Sequence, residues 1–182
     1  MRLPAALPRN SDLNSTSFLH LMALTVGTTA PDFTVTTLGA SGPELFKLSE
    51  NLGQQNLLLL FVPMAFTGVC TKEFCEISNG MNEYTSLNAR VVGISGDNPF
   101  AQKAWADKEG ISLQLLSDYD HKVTTAYGVA YDSFLPAKNL IMGGVPKRSA
   151  FIIDKAGVST PSYRQLEALL VKRQGKWRIV ME

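Results

Sequence analysis

Two thiols, Cys70 and Cys75, are the only cysteines in this chain of 182 residues, and they stand five positions apart in the segment Pro63-Met-Ala-Phe-Thr67-Gly-Val-Cys70-Thr-Lys-Glu73-Phe-Cys75. A cysteine becomes a nucleophile as its thiolate, so the first question is what would ionise one of them. Cys70, Phe74, Ile77, Met81 and Tyr84 recur at intervals of four, three, four and three, the stripe of one helix face, which predicts a helix running to about Leu87. Cys70 then sits in the first turn, where free amide donors and the positive end of the helix dipole favour thiolate over thiol. Thr67 occupies the N-cap position, with a hydroxyl able to accept a bond from the amide of Val69 or Cys70. The chemistry on offer is therefore thiol nucleophilic and redox chemistry.

The elements that position this turn can be read on either side of it. The apolar run at 57–62 has the length of a strand buried on both faces, as in the middle of an α/β sheet, and Pro63 ends it. A second buried strand is predicted at 90–95, followed by a helix with Asn98 as N-cap, Pro99 at its first position and Gly110 closing it. Residues 111–116 read as a further strand, and Asp118 or Asp120 can cap a short helix that passes His121, a helix-start residue, and ends at Tyr127 before Gly128. Strand-like segments at 32–37 and 45–48, joined by Gly39, Ser41, Gly42 and Pro43, predict an N-terminal hairpin. The stretch 131–147 exceeds ordinary connection length and is a candidate functional loop. Beyond it come a strand at 150–154, a turn at 155–157 leading into a second hairpin, a last helix at 162–172, and a short strand or tail at 177–180. Strands alternating with helices, with a hairpin at each end, predict an α/β sandwich on a mixed sheet.

Composition narrows the class. With 45% hydrophobic and 18% charged residues and a formal net charge of +1, the chain offers no electrostatic case for nucleic acid or an acidic membrane surface. No apolar run is long enough to cross a bilayer, so a soluble, cytoplasmic protein is expected. Residues 1–23 carry Pro, Asn and Ser clusters, interrupted by Arg9, Asp12 and Asn14, and read as a flexible extension ahead of one domain at 24–182. Two cysteines are too few for a disulfide-stapled scaffold. With the distant His20 and His121 they lack metal-ligand spacing, so no metal or other cofactor is expected.

The string Pro63-Met-Ala-Phe-Thr67-Gly-Val-Cys70 resembles the Pro-x-x-x-Thr-x-x-Cys signature of the peroxiredoxins, thiol peroxidases on a thioredoxin-like fold. The longer string AFTGVCTKEFC is most similar to the bacterial branches called alkyl hydroperoxide reductase E and bacterioferritin comigratory protein. Ala30-Pro-Asp-Phe33 and Arg148-Ser-Ala-Phe-Ile-Ile-Asp154 extend the resemblance, in family order, over roughly residues 24–160. It implies a thioredoxin-like three-layer sandwich with a mixed central sheet and an added N-terminal hairpin. It also implies a thiol-dependent peroxidase acting on hydrogen peroxide and organic hydroperoxides.

By the same resemblance Cys70 is the peroxidatic nucleophile, oxidised first to a sulfenic acid. Thr67 contacts both sulfur and peroxide, and Pro63 walls the sulfenic acid against over-oxidation. Arg148 matches the arginine that family members place in a strand facing that cysteine, where a guanidinium binds peroxide oxygen. Glu73 can orient this arginine in a bidentate pair. Each residue has a plainer reading: Thr67 a helix cap, Pro63 a strand terminator, Arg148 a solvated charge after Pro146 and Lys147, Glu73 a first-turn acid complementing the dipole.

Cys75 is expected to resolve the Cys70 sulfenic acid as an intramolecular disulfide, re-reduced by a thioredoxin-like or glutaredoxin-like donor. Helix positions five apart differ by about 140° and roughly 9 Å between Cα atoms, whereas a disulfide tolerates at most about 7 Å. The first turns of the helix must therefore unwind in each cycle. Proteins of the bacterioferritin-comigratory type use this spacing for their cysteine pair, while the alkyl hydroperoxide reductase E branch often lacks the second cysteine. Two other readings stand beside the peroxidase: a thioredoxin-type disulfide exchanger, whose usual C-x-x-C differs from the C-x-x-x-x-C found here, and a redox-sensing binding module in which Cys70 oxidation exposes a partner surface. Monomers and homodimers both occur among similar proteins.

Overall fold

Leu57, Leu58, Leu59, Leu60 and Phe61 expose none of their surface, because the strand they belong to, β3 (Asn56–Phe61), lies in the centre of a sheet covered on both faces. The computed structural model describes residues 24–159 and 178–179. On one side β3 pairs in parallel with β4 (Ala89–Ser95), and β4 in parallel with β5 (Gln114–Ser117). On the other side it pairs antiparallel with β6 (Ser149–Ile153), beside which the two-residue β7 (Arg178–Ile179) runs parallel. The expected N-terminal hairpin forms from β1 (Thr34–Gly39) and β2 (Gly42–Lys47) and joins the far edge through β1 and β5, giving the order β2-β1-β5-β4-β3-β6-β7.

Alternate residues of β3 face two separate cores. Leu58, Leu60 and Val62 pack with Cys70, Phe74 and Ile77 of α1 (Gly68–Asn79), Tyr84 of α2 (Met81–Ser86) and Trp105 of α3 (Pro99–Glu109). Leu57, Leu59 and Phe61 pack with Phe46, Leu48, Tyr127 and Val123, the last from α4 (Lys122–Ala126). Helices on both faces of a mixed sheet make the expected thioredoxin-like three-layer sandwich.

Several local expectations are corrected. The helix predicted to run from Cys70 to about Leu87 is two helices, broken at Gly80, whose amide closes the first by bonding the carbonyls of Glu76 and Ile77. Across this break Tyr84 stays fully buried in the same core as Phe74 and Ile77. β5 starts at Gln114 rather than Ile111, and Leu48 belongs to a 3-10 turn (Leu48–Asn51) instead of β2. The capping of α4 works at one remove: His121 holds the N-cap position in the left-handed region, while the Asp118 carboxylate accepts the amides of Val123 and Thr124 at 2.9 and 2.7 Å. Asn98, Pro99 and Gly110 bound α3 as expected, with the Asn98 side chain accepting the Ala101 amide. The expected extension at 1–23 and the helix at 162–172 lie outside the described residues, and of the segment 177–180 the described part is β7.

The long stretch 131–147 folds back on itself. Bridges pair Ala130 with Pro146 and Phe134 with Met142, and a 3-10 turn (Pro136–Lys138) forms its tip. The Lys147 amide then bonds the Val129 carbonyl at 2.6 Å, so the excursion returns the chain directly to the start of β6.

Candidate active site

Strand register brings together residues that sequence separates. Phe61, the last residue of β3, pairs with Ser149, the first of β6, so Arg148 stands beside the point where the chain leaves β3 for the turn 63–67. The turn is tight: Pro63 is buried, Phe66 adopts a left-handed backbone at φ 60°, and α1 begins two residues later. Cys70 enters on the buried face of α1 with 1% of its surface exposed.

The Arg148 side chain spans the gap. Its Nε donates to Glu73 Oε2 at 2.6 Å and its Nη2 to Cys70 Sγ at 3.3 Å, contacts that bridge 75 and 78 residues of sequence. The expected bidentate pair with Glu73 is corrected: the planar guanidinium divides its donors between carboxylate and sulfur instead of closing on the carboxylate. Burial lowers the pKa of Arg148, but the hydrogen bond and charge of Glu73 and the charge of Cys70 outweigh it, and the net shift is upward. Glu73 is 4% exposed and the Arg148 side chain 22% exposed, so the ion pair is largely shielded from water and fixes a guanidinium beside the sulfur.

Thr67 is the N-cap of α1 by position, yet its hydroxyl makes no cap bond. It donates to the Met64 carbonyl at 3.1 Å, so the expected acceptance from Val69 or Cys70 is not found. The hydroxyl is turned toward the carbonyl of its own turn, a local side-chain to backbone bond of the kind threonine favours at such positions.

Cys75 is held away from this cluster. Half-buried on α1, its thiol donates to the Glu109 carbonyl at the end of α3 at 3.3 Å, and both cysteines are free. Burial, and then the carboxylates of Glu109 and Glu76, push its pKa above the ordinary cysteine value. In a Cys70→Ser protein, alkylation of Cys75 followed against pH by mass spectrometry is therefore expected to show a midpoint above ~8.5, returning to that value in guanidinium. Equal midpoints in folded and unfolded protein would contradict this environment.

Two contributions were not legible in the sequence. The Trp105 indole donates to Thr71 Oγ1 at 3.0 Å and stacks on Phe74 at 5.4 Å, bracing the first turn of α1 against α3. Asp97, read only as part of the turn before Asn98, accepts the Ala65 amide at 2.7 Å. The general signal for such a residue is an acid just beyond the C-terminal end of a parallel strand, at the same sheet edge as the reactive turn.

The sequence model described as the AhpC/TSA family matches residues 26–159. Alkyl hydroperoxide reductase E of Mycobacterium tuberculosis is 34% identical over 137 residues, covering 74% of this chain and 82% of the relative. Among solved structures, peroxidoxin BcpB from Mycobacterium tuberculosis superposes with a TM-score of 0.65 at 28% identity, over 84% of this chain and 95% of that one. The reduced 2-Cys peroxiredoxin of Plasmodium vivax gives 0.64 at 26% identity, over 75% and 82%.

Proposed function

The chain belongs to the AhpC/TSA family, and from that premise we propose that it reduces hydrogen peroxide and organic hydroperoxides with Cys70 as the attacking sulfur. The observation that carries the assignment is the Arg148 guanidinium bonded at once to Cys70 Sγ and to buried Glu73. A sulfur with an aligned, permanently charged donor beside it meets the needs of displacement at oxygen.

In the first step the Cys70 thiolate attacks the terminal peroxide oxygen. The S–O bond forms as the O–O bond breaks, Cys70 becomes the sulfenic acid, and the departing oxygen takes a proton and leaves as water or alcohol. Arg148 stabilises the charge developing on that oxygen, Glu73 orients Arg148, and the Thr67 hydroxyl, with acceptor lone pairs left over, lies in the turn leading to the sulfur. Pro63, buried at the end of β3, shields the site.

In the second step the Cys75 sulfur displaces hydroxide from the sulfenic acid, giving a Cys70–Cys75 disulfide and water. Cys75 must leave the Glu109 carbonyl, and because helix positions five apart stand roughly 9 Å apart while a disulfide tolerates at most about 7 Å, α1 must unwind. A thioredoxin-like or glutaredoxin-like dithiol then reduces the disulfide by exchange. This reading assigns the protein to the cytoplasm, where such donors are kept reduced; among the described residues no helix is long and apolar enough to cross a membrane.

Stopped-flow reduction of hydrogen peroxide by the reduced protein, with mass spectrometry of the product, tests both steps. The expected product is lighter than the dithiol by a pair of hydrogens. A product heavier by one oxygen that persists would assign resolution to another thiol, and a protein that leaves peroxide untouched would end the reading.

A further inference from the structure

We propose that Asp97 is a positioning residue for the peroxide reaction: its carboxylate clamps the Ala65 amide and thereby fixes the turn that sets Thr67 and Cys70 against Arg148. The inference rests on the peroxidase reading of the same site.

Parallel pairing of β3 and β4 sets Phe61 opposite Ile94, so the residues just past both strands meet at one sheet edge. There Asp97 Oδ2 accepts the Ala65 amide and the Ser95 hydroxyl, each at 2.7 Å. Behind this pair lies a buried scaffold. Gln102 Nε2 donates to Ser95 Oγ at 3.0 Å and to the Leu116 carbonyl at 2.9 Å, and Ser117 Oγ donates to the Asp97 carbonyl at 2.7 Å. Ser95 and Gln102 are each 2% exposed, so β4, β5 and α3 give the partly exposed acid a fixed, buried polar backing, and its charge-assisted bond to the amide is stronger than a neutral one.

Apolar packing holds the turn on one side, with Ala65 in the core and the Phe66 ring against Trp105 and Lys108; the bond to Asp97 ties its backbone to β4. Among the described residues, the other hydrogen bonds made by residues 63–67 stay within the turn or pass to α1: Thr67 to the Met64 carbonyl, and the Thr71 amide to the Thr67 carbonyl. Phe66 at φ 60° is a bulky side chain in a region that favours glycine, a conformation that persists only where neighbouring contacts impose it. Asp97 supplies the restraint on the residue immediately before it. Released, the turn shifts Thr67 and the first residues of α1, and the sulfur loses its alignment with Arg148.

Three measurements on wild type, Asp97→Ala and Asp97→Asn test the assignment. With alanine the bimolecular rate constant for hydrogen peroxide is expected to fall about 100-fold, the effect of a displacement near 1 Å at a reacting centre. Alkylation of Cys70 by iodoacetamide, which needs the thiolate but no aligned peroxide donors, is expected to fall by much less than the peroxide rate. Asparagine keeps an oxygen for the Ala65 amide and is expected to recover most of the peroxide rate. Hydrogen exchange at the Ala65 amide, independent of any peroxide chemistry, is expected to accelerate with alanine and stay slow with asparagine. An unchanged exchange rate or peroxide rate in Asp97→Ala, equal losses of peroxide reduction and alkylation, or an asparagine variant as slow as alanine would each overturn the proposal. A wild type inert to peroxide defeats the parent reading instead, and the exchange measurement still decides the clamp.

Discussion

A Cys70→Ser protein is expected to consume hydrogen peroxide at least about 10⁴-fold more slowly than wild type, the scale on which removal of a catalytic nucleophile is felt. A hydroxyl at this position is not ionised at neutral pH, and oxygen is a far weaker nucleophile toward peroxide than sulfur. The substitution removes little else. Cys70 is 1% exposed, and a serine Oγ can still accept from Arg148 Nη2 in place of the sulfur, so the melting temperature should move by only about 2–4 °C, equivalent to roughly 1 kcal/mol. A Cys75→Ser protein makes the necessary contrast. It should retain the first peroxide-consuming step at the wild-type rate and yield the sulfenic acid in place of the disulfide. Were the two phenotypes exchanged, with Cys75→Ser inert and Cys70→Ser active, the assignment of attacking and resolving sulfur would be reversed.

The parts of this site that lie close together in the chain were legible in the sequence, and the parts that depend on strand register were not. Residues 57–62 read as a buried strand because an unbroken apolar run has no solvent face to offer, and all of them are buried. Cys70 could be placed in a first turn because Phe74, Ile77 and Tyr84 continue its stripe, and those three residues are fully buried. Arg148 is different: nothing local distinguishes it from a solvated charge. Its approach to Cys70 follows from the pairing of Phe61 with Ser149 and from the fold-back of residues 131–147, so only resemblance to a family could supply it in advance. The Thr67 expectation failed for a local reason: the hydroxyl is turned toward the Met64 carbonyl of its own turn and makes no bond with the helix amides. The helix break at Gly80 is not visible in the pattern because the apolar stripe continues through it, and a period alone does not register an interruption in the hydrogen bonding. Asp97 was hidden because an acid after a strand is the common composition of a turn, and its partner Ala65 lies 32 residues away on the backbone of another element.

Replacing Arg148 with methionine is expected to slow the reaction of Cys70 with peroxide by about 10²- to 10³-fold, the usual loss when one preorganised donor to a developing oxyanion is removed. The same change takes the guanidinium away from Glu73, a carboxylate that is 4% exposed. Breaking a buried pair by removing one partner costs about 3–5 kcal/mol. Because the Arg148 side chain is 22% exposed, the lower end applies, and a fall of about 6–12 °C in melting temperature is expected. Adding Glu73→Gln removes the carboxylate charge at almost constant volume and should restore much of the stability while leaving the peroxide rate as slow as in Arg148→Met alone. Arg148→Lys separates charge from shape. A compact ammonium keeps the positive charge but cannot reach carboxylate and sulfur together as the fork at Nε and Nη2 does, so an intermediate rate is expected. Stopped-flow kinetics and thermal melts of these variants decide the matter together. If the double variant regained speed along with stability, Arg148 would be acting through the fold, and the electrostatic account of the site would have to be given up.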